Sequence, residues 1–372
     1  MINTKPYLIL LTGLILSIVL VNCVDPYSDS KLLTTNKKLI VNASISNQSE
    51  PFRVRLTRTI AFLEKDATPP VIGAKVYVLD NLNNRYDLAD VGKGDYQTAT
   101  NQKAVVGRSY QLFIQTGGRN YESTPETLRP VPEIDKLSSQ MIEQRSESGV
   151  KKNTFEVTLE TKDNKTTGDY YRWTATNYRY LYSCFDRVCR PEVCPGPTVY
   201  RNECCSPCWE INKEYGQILL ASDNLINGNT LKQKVTTVPY NSRRPYYLEV
   251  AQYSLTKGAY NYWTNINTQI NNTGSIFDAP PANIRGNIVC KEDPTEQVLG
   301  YFETTSVSYK RIFILRDALG IAAEPTVPLL VGPVIVQSGC KECNENAGRT
   351  SKKPIDWRDD YSLRSYDPRT EL

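Results

Sequence analysis

The chain has 372 residues, 40% apolar and 23% charged, a composition able to bury the cores of two ordinary domains. Its formal charge of +4 is too small to argue for nucleic acid or an acidic membrane surface as a partner. Histidine is absent, which removes every Ser-His-Asp, Cys-His and His-metal arrangement, while 24 tyrosines favour half-buried strands and exposed binding faces.

Residues 1–22 read as a signal peptide. Lys5 supplies the positive charge, and the run from Tyr7 to Val21 is interrupted only by Thr12, Gly13 and Ser17. An uncleaved anchor helix is the alternative, but a spanning helix needs roughly 20 apolar residues and this run stops at Asn22. Leu20-Val21-Asn22-Cys23 resembles the bacterial lipobox, departing from it at Asn22, where a smaller residue is usual. That resemblance implies lipidation of Cys23 and stable anchoring to outer-membrane lipid, since two or three acyl chains hold a protein where one does not. Residues 23–37 form a polar tether without apolar periodicity. Asp25 and Asp29 resemble the surface-export signal of Bacteroidetes lipoproteins, so the expected location is the outer membrane, lipid-anchored and exposed at the cell surface.

From 38 to 124 apolar residues recur with period two, the mark of half-buried strands. Leu39, Val41, Ala43 and Ile45 form one such series, and Phe52, Val54 and Leu56 a second. Ala74, Val76 and Val78 form a third, and Tyr110, Leu112 and Ile114 a fourth. Turn clusters at residues 80–84 and at Gly117-Gly118 separate them, which predicts an antiparallel sandwich. PPVIGAKVYVLDNLNNRYDL, GDYQT and VVGRSYQLFI resemble small Ig-like domains related to carboxypeptidase regulatory modules, a fold with no chemistry attached. Arg53, Arg55 and Arg58 make a basic stripe, read as an exposed face that discourages edge pairing.

Residues 125–152 carry Pro125, Pro130 and Pro132 and read as an extended linker. A second sandwich-like β-domain is expected over 153–340. Its strands are predicted at 155–159, 170–173, 246–253, 299–307 and 311–315. One helix interrupts them, capped by Ser254 or Thr256 and ended by Gly274, with Ala259, Tyr262, Trp263, Ile266 and Ile270 on one face. That stripe is expected to be core. The aromatics and arginines of YYRWTATNYRYLYS would suit RNA in another setting. Outside the cytoplasm a sugar-stacking platform is the stronger alternative. Residues 341–372 read as a C-terminal tail.

Six cysteines crowd 184–208: Cys184, Cys189, Cys194, Cys204, Cys205 and Cys208. With Cys290, Cys340 and Cys343 they make nine thiols besides Cys23. An extracytoplasmic compartment favours disulfides. The x4 spacings do not match zinc knuckles, although Cys205-x-x-Cys208 with Cys340-x-x-Cys343 leaves a four-cysteine site open. A redox dithiol wants a thioredoxin-like strand-helix context, and these surroundings are strand and turn. Sequence selects no pairing, and nine is odd. A staple closing a loop of this size contributes about 3 kcal/mol, which suits an insertion without a core of its own.

Taken in order, these elements resemble a family of Bacteroidetes outer-membrane lipoproteins of unknown function, often encoded beside TonB-dependent receptors. The matching stretches are the lipobox, KLIVNASISNQSEPFRVRLTRTIAF, PPVIGAKVYVLD and the insertion ending in Cys208-Trp209. SIFDAPPANIRGNIV, VLGYFETTSV and Cys340-x-x-Cys343 before Pro354 and Trp357 complete the set. The Cys204-Cys205 pair exceeds the family pattern. The resemblance implies an accessory of an outer-membrane transporter and carries over no catalytic residue. A non-enzymatic binding or scaffold lipoprotein is therefore expected, without cofactor or metal, with a TonB-dependent transporter or another outer-membrane complex as partner. A surface glycan-binding protein of a polysaccharide uptake system is the alternative. A hydrolase using two carboxylates needs no histidine, but no acidic pair stands out.

Overall fold

The computed structural model describes residues 37–60, 67–145, 149, 151–181, 208–213, 218–225, 227–240, 245–271, 284–316, 343 and 348–358. The signal peptide, Cys23, residues 184–207, Gly274, Cys340 and most of 341–372 lie outside them.

Of the first eight strands, β1 (Leu39–Ser46), β2 (Arg53–Arg58), β3 (Lys75–Asp80) and β6 (Ser109–Thr116) follow the predicted alternation; β4 (Arg85–Gly92), β5 (Asp95–Gln97), β7 (Arg119–Ser123) and β8 (Glu126–Thr127) lie between and after them. The turn at 80–84 is built by Asp80, whose Oδ1 accepts from the amides of Leu82 and Asn84 while its Oδ2 pairs with Arg108 at 3.0 Å. β4 makes the corner. Its first half pairs with β3 and its second with β5, across a bulge between Asp90 and Gly92. Residues from the two halves of the sheet, such as Val41 and Leu56 from one and Val78 and Leu112 from the other, share a single core. Tyr96 lies inside it and donates its hydroxyl to the Val71 carbonyl at 2.9 Å.

Ten strands belong to this sheet, which takes in β16 (Ile288–Cys290) and β17 (Leu299–Thr305), in the order β16-β7-β6-β3-β4-β5-β2-β1-β17 with β8 on β6. These two come from far along the chain. β16 pairs with β7, and β17 runs parallel to β1 with Ala43 opposite Phe302. The division at 124/125 therefore does not hold: residues 288–305, read as part of the second domain, complete the first sheet. The physical reason is Phe302, which needs the core behind β1 and is fully buried there. β2 is an interior strand between β1 and β5, so its exposed arginines do not guard an edge.

The second unit is a sandwich. A three-stranded sheet, β14-β10-β9, comprises β9 (Ile134–Arg145), β10 (Lys151–Lys162) and β14 (Thr230–Pro239). It faces β18-β15-β11-β12-β19, formed by β11 (Tyr170–Leu181), β12 (Cys208–Lys213), β15 (Tyr246–Leu255), β18 (Val307–Ile314) and β19 (Arg349–Thr350). The short β13 (Leu219–Ser222) also pairs with β11. Phe155, Val157 and Leu159 from one sheet and Tyr171, Trp173 and Val250 from the other fill the core. β9 corrects the linker reading. All of 134–145 is strand, paired along β10, and in the proline-bearing stretch before it β8 is followed by the irregular residues 128–133.

The two units are joined by more than a linker. β17 passes directly into β18 through the buried Ser306, whose hydroxyl donates to the Arg129 carbonyl at 2.6 Å. Ser254 donates to the same carbonyl and accepts from the Ser306 amide. Asn47, just past β1, accepts the Val307 amide at 2.9 Å.

Candidate functional site

The helix α1 (Lys257–Asn271) packs beside β11, β13, β15 and β17 and faces β1 across a cavity. Its start is set by Thr256, whose Oγ1 accepts the Ala259 amide at 3.2 Å as an N-cap. The period-two alternation of β17 turns Phe302 into the core and leaves Leu299, Tyr301 and Glu303 on the outer face. Ile40 and Asn42 of β1 lie beside them in register. Between this face and α1 opens a cavity of about 520 Å³, lined among others by Asn42, Tyr262, Trp263, Ile266, Tyr301 and Glu303. Of the helical stripe expected to be core, Ala259 is buried in a small cluster with Leu255 and Tyr301 against which Tyr262 and Trp263 pack, while Tyr262, Trp263 and Ile266 also line the groove. Only Ala259 is buried on the helix, and Ile270 is 58% exposed.

Glu303 is the charged centre of the groove. It pairs with Arg172 of β11 at 2.9 Å, accepts from the Trp263 indole at 2.8 Å, and is nearly buried. The Arg172 guanidinium lies 4.5 Å from the Trp263 ring centre and 4.7 Å from that of Tyr253. An ion pair desolvated on both sides, with its cation between two rings, fixes the helix against both units.

Behind Tyr301 sits a second buried carboxylate, Glu126. It accepts from the Tyr301 hydroxyl at 2.6 Å, the Asn287 carboxamide at 3.1 Å and the Thr256 hydroxyl. Burial pushes its carboxyl above the usual range, against those three bonds, and the negative charge of Glu303 adds to the upward shift. Asn287 is the clamp: its carboxamide also donates to the Phe302 carbonyl at 2.8 Å and accepts the Phe302 amide at 2.9 Å. Beside it two glycines permit close contact. A Cβ on Gly286 would stand 1.7 Å from the Gly300 carbonyl oxygen, and one on Gly300 would stand 1.9 Å from that of Val41, at φ +90°. GNIV, which leads into β16, and GYF, in β17, meet here.

The predicted cysteines divide three ways. Cys208 and Cys343 form a disulfide, Cα to Cα 5.8 Å. Cys290 is a correction: it stood among the disulfide candidates and is a free, buried thiol on β16, its Sγ donating to Glu292 at 3.5 Å. Strand pairing with β7 seats it in the first core, away from the other described cysteines. Cys184, Cys189, Cys194, Cys204, Cys205 and Cys340, like Cys23, lie outside the described residues. The insertion leaves β11 at Leu181 and re-enters β12 at Cys208, which are paired, so it springs from a hairpin end. Around the cystine, Trp209 and Trp357 meet edge to face at 6.0 Å, and the Tyr247 hydroxyl donates to the Ile355 carbonyl at 2.6 Å. Residues 348–358, read as tail, are therefore packed against the second sheet.

Sequence reasoning did not single out Glu303, Glu126 or Asn287, and it met Arg172 only as one of the arginines among the aromatics of YYRWTATNYRYLYS. For Glu303 the available signal was an acidic residue in GYFETT, set in a strand that otherwise reads as buried. Among the described residues, no helix is long and apolar enough to cross a membrane.

The family model described as a domain of unknown function (DUF4249) matches residues 24–311. No curated protein matches. A crystal structure of a DUF4785 family protein from Legionella pneumophila is similar at 9% identity, over 58% of this chain and 52% of that one, with a TM-score of 0.20. This chain thus spans about half the length of that structure, and a score so low transfers nothing.

Proposed function

This chain belongs to the DUF4249 family, a domain of unknown function, and from that premise we propose that it is a non-enzymatic binding or scaffold protein. It is held at the outer membrane through lipid on Cys23 and serves as accessory to a TonB-dependent transporter or another surface complex. The observation that carries the reading is the groove under α1. Its volume falls within the few hundred to about 1,000 Å³ of ligand-holding clefts, and its walls are aromatic and aliphatic around a few fixed polar groups. It also lies where both units meet, on elements tied by the Glu303–Arg172 pair, so a ligand or partner segment there meets a preformed surface. The leader and the lipobox-like stretch support the location. The test is extraction of the full chain in mild detergent. Co-purification of an outer-membrane β-barrel protein is expected, and weaker recovery of it with Trp263→Ala. A chain that always runs alone, with its genomic neighbours intact, sinks the proposal.

A second reading, surface glycan binding, is favoured by one feature. Tyr262, Trp263 and Tyr301 stand beside the carboxamides of Asn42, Gln269 and Gln297 in the same groove, the mixture of ring faces and hydrogen-bonding groups that suits sugars. Affinity gels carrying neutral and acidic polysaccharides test it. Unretarded migration on all of them removes it and leaves the scaffold reading standing.

A further inference from the structure

We propose that two interlocked loops at one end of the second unit hold a hard, calcium-type divalent cation, with the Asp223 carboxylate as its anchoring ligand. This site is separate from the groove and does not rest on the function proposed for it.

One loop joins β10 to β11 and carries Asp163, Asn164 and Asp169; the other joins β13 to β14 and begins at Asp223. They are laced by main-chain bonds of 3.0 Å, from the Asp163 amide to the Asn229 carbonyl and from the Asp223 amide to the Asp169 carbonyl. All three aspartates are buried, at 3%, 2% and 1% exposure. Two have partners. Asp163 accepts from the Tyr171 hydroxyl at 2.5 Å and the Gly228 amide at 3.0 Å, and Asp169 accepts from Thr166 at 2.7 Å and faces Arg129 at 3.3 Å. Asp223 has none: neither carboxylate oxygen meets a donor.

A buried carboxylate left this way is costly and must be neutralised or bound. Arg129 is engaged by Asp169, and its Nε is itself buried without a partner, so it does not reach Asp223. Lys165 is exposed, its stem lying against Gly228. Three buried carboxylates against one guanidinium leave two negative charges, which one divalent cation balances. Asn164 adds a second unpartnered group, a buried carboxamide nitrogen; a half-turn about its terminal bond presents the oxygen in its place. Among the described residues no three acidic or thiol side chains converge on one point. The remaining ligands are therefore carbonyl, carboxamide or water oxygens. An irregular set of that kind suits Ca2+, which takes six to eight oxygens, better than Mg2+ with its rigid octahedron or Zn2+ with its nitrogen and sulfur preference.

The full chain, purified in detergent and stripped with EDTA, is titrated with CaCl2, with MgCl2 and with Tb3+, whose luminescence is excited through Tyr171 and Trp173. CaCl2 is expected to raise the Tm with a Kd at or below about 1 mM, MgCl2 to do so less, and Ca2+ to displace bound Tb3+. Asp223→Asn is expected to abolish both responses and, in EDTA, to melt above the stripped wild type, because it removes an uncompensated charge. Asp87→Asn, an exposed carboxylate elsewhere, is expected to keep both. No Tm shift and no Tb3+ signal in the wild type overturn the proposal. So does a calcium response that survives Asp223→Asn, or a loss of stability in EDTA on that substitution, which would mean that the protein itself satisfies Asp223.

Discussion

At the residue scale, Glu303 makes the strongest single contribution to the groove. Glu303→Gln keeps an acceptor for the Trp263 indole but strips Arg172 of its counter-charge where both side chains are mostly buried. Breaking such a pair costs roughly 3 kcal/mol, to be read as a lower denaturant midpoint at unchanged slope. Two other glutamates should respond to pH in opposite directions. Glu292 accepts the main-chain and side-chain amides of Asn120 at 2.8 and 2.7 Å, which lowers its pKa from the usual 4.5 to about 2. Its stabilisation is present above the unfolded-state value and is lost as pH falls from about 4.5 towards 2. Glu126 is raised by burial, so its effect is most favourable at low pH and is lost as pH rises through the folded value. In an acid titration of unfolding, Glu292→Gln should flatten the loss of stability below pH 4.5, and Glu126→Gln should flatten its decline on the alkaline side. Parallel curves for both variants and wild type would refute these assignments.

At the element scale, the return of β16 and β17 to the first sheet depends on backbone contact. Gly300→Ala places a methyl 1.9 Å from the Val41 carbonyl at a φ that L-residues rarely adopt, so β17 cannot stay in register with β1. We expect a loss of more than about 3 kcal/mol, or failure to fold, together with faster amide exchange along β1 measured on whatever folds. Thr256→Ala should cost about 1 kcal/mol as a lost helix cap, with fraying of α1 seen in the same experiment. The elements also show what the sequence makes legible. Leu39, Val41, Ala43 and Ile45 alternate because one face of β1 is wet at Asn42 and Ser44, and that contrast is visible locally. β9 escapes because its residues are mostly half-exposed and follow prolines, so nothing in 134–145 departs from a linker. The groove escapes because Tyr262, Trp263 and Ile266 show the spacing of a core stripe whether they meet side chains or a cavity.

At the scale of the whole molecule, the Cys208–Cys343 disulfide closes 135 residues and ties residues 348–358 to the second sheet near β12. Removing it with Cys208→Ser and Cys343→Ser should cost about 2–4 kcal/mol and expose Trp357, seen as a red shift and increased quenching of tryptophan emission. Unchanged emission and stability would show that the aromatic cluster alone holds the segment. The shared seam at Ser254, Ser306 and Arg129 further predicts one cooperative unfolding transition instead of two, measurable by calorimetry on the full chain.

What the sequence determined by itself is local: the period-two strands, a helix start at Ser254 or Thr256, the turn at 80–84 and a β-rich fold interrupted by the helix over 257–271. Each depends on a residue and neighbours a few positions away, so its physics is complete within a short window. Tertiary structure decided the rest. Whether Phe302 belongs with Val41, whether Cys208 finds Cys343 while Cys290 stays free, and whether Glu303 meets Arg172 all depend on contacts more than 100 residues apart. Burial and strand pairing select those contacts only when the whole chain competes for them.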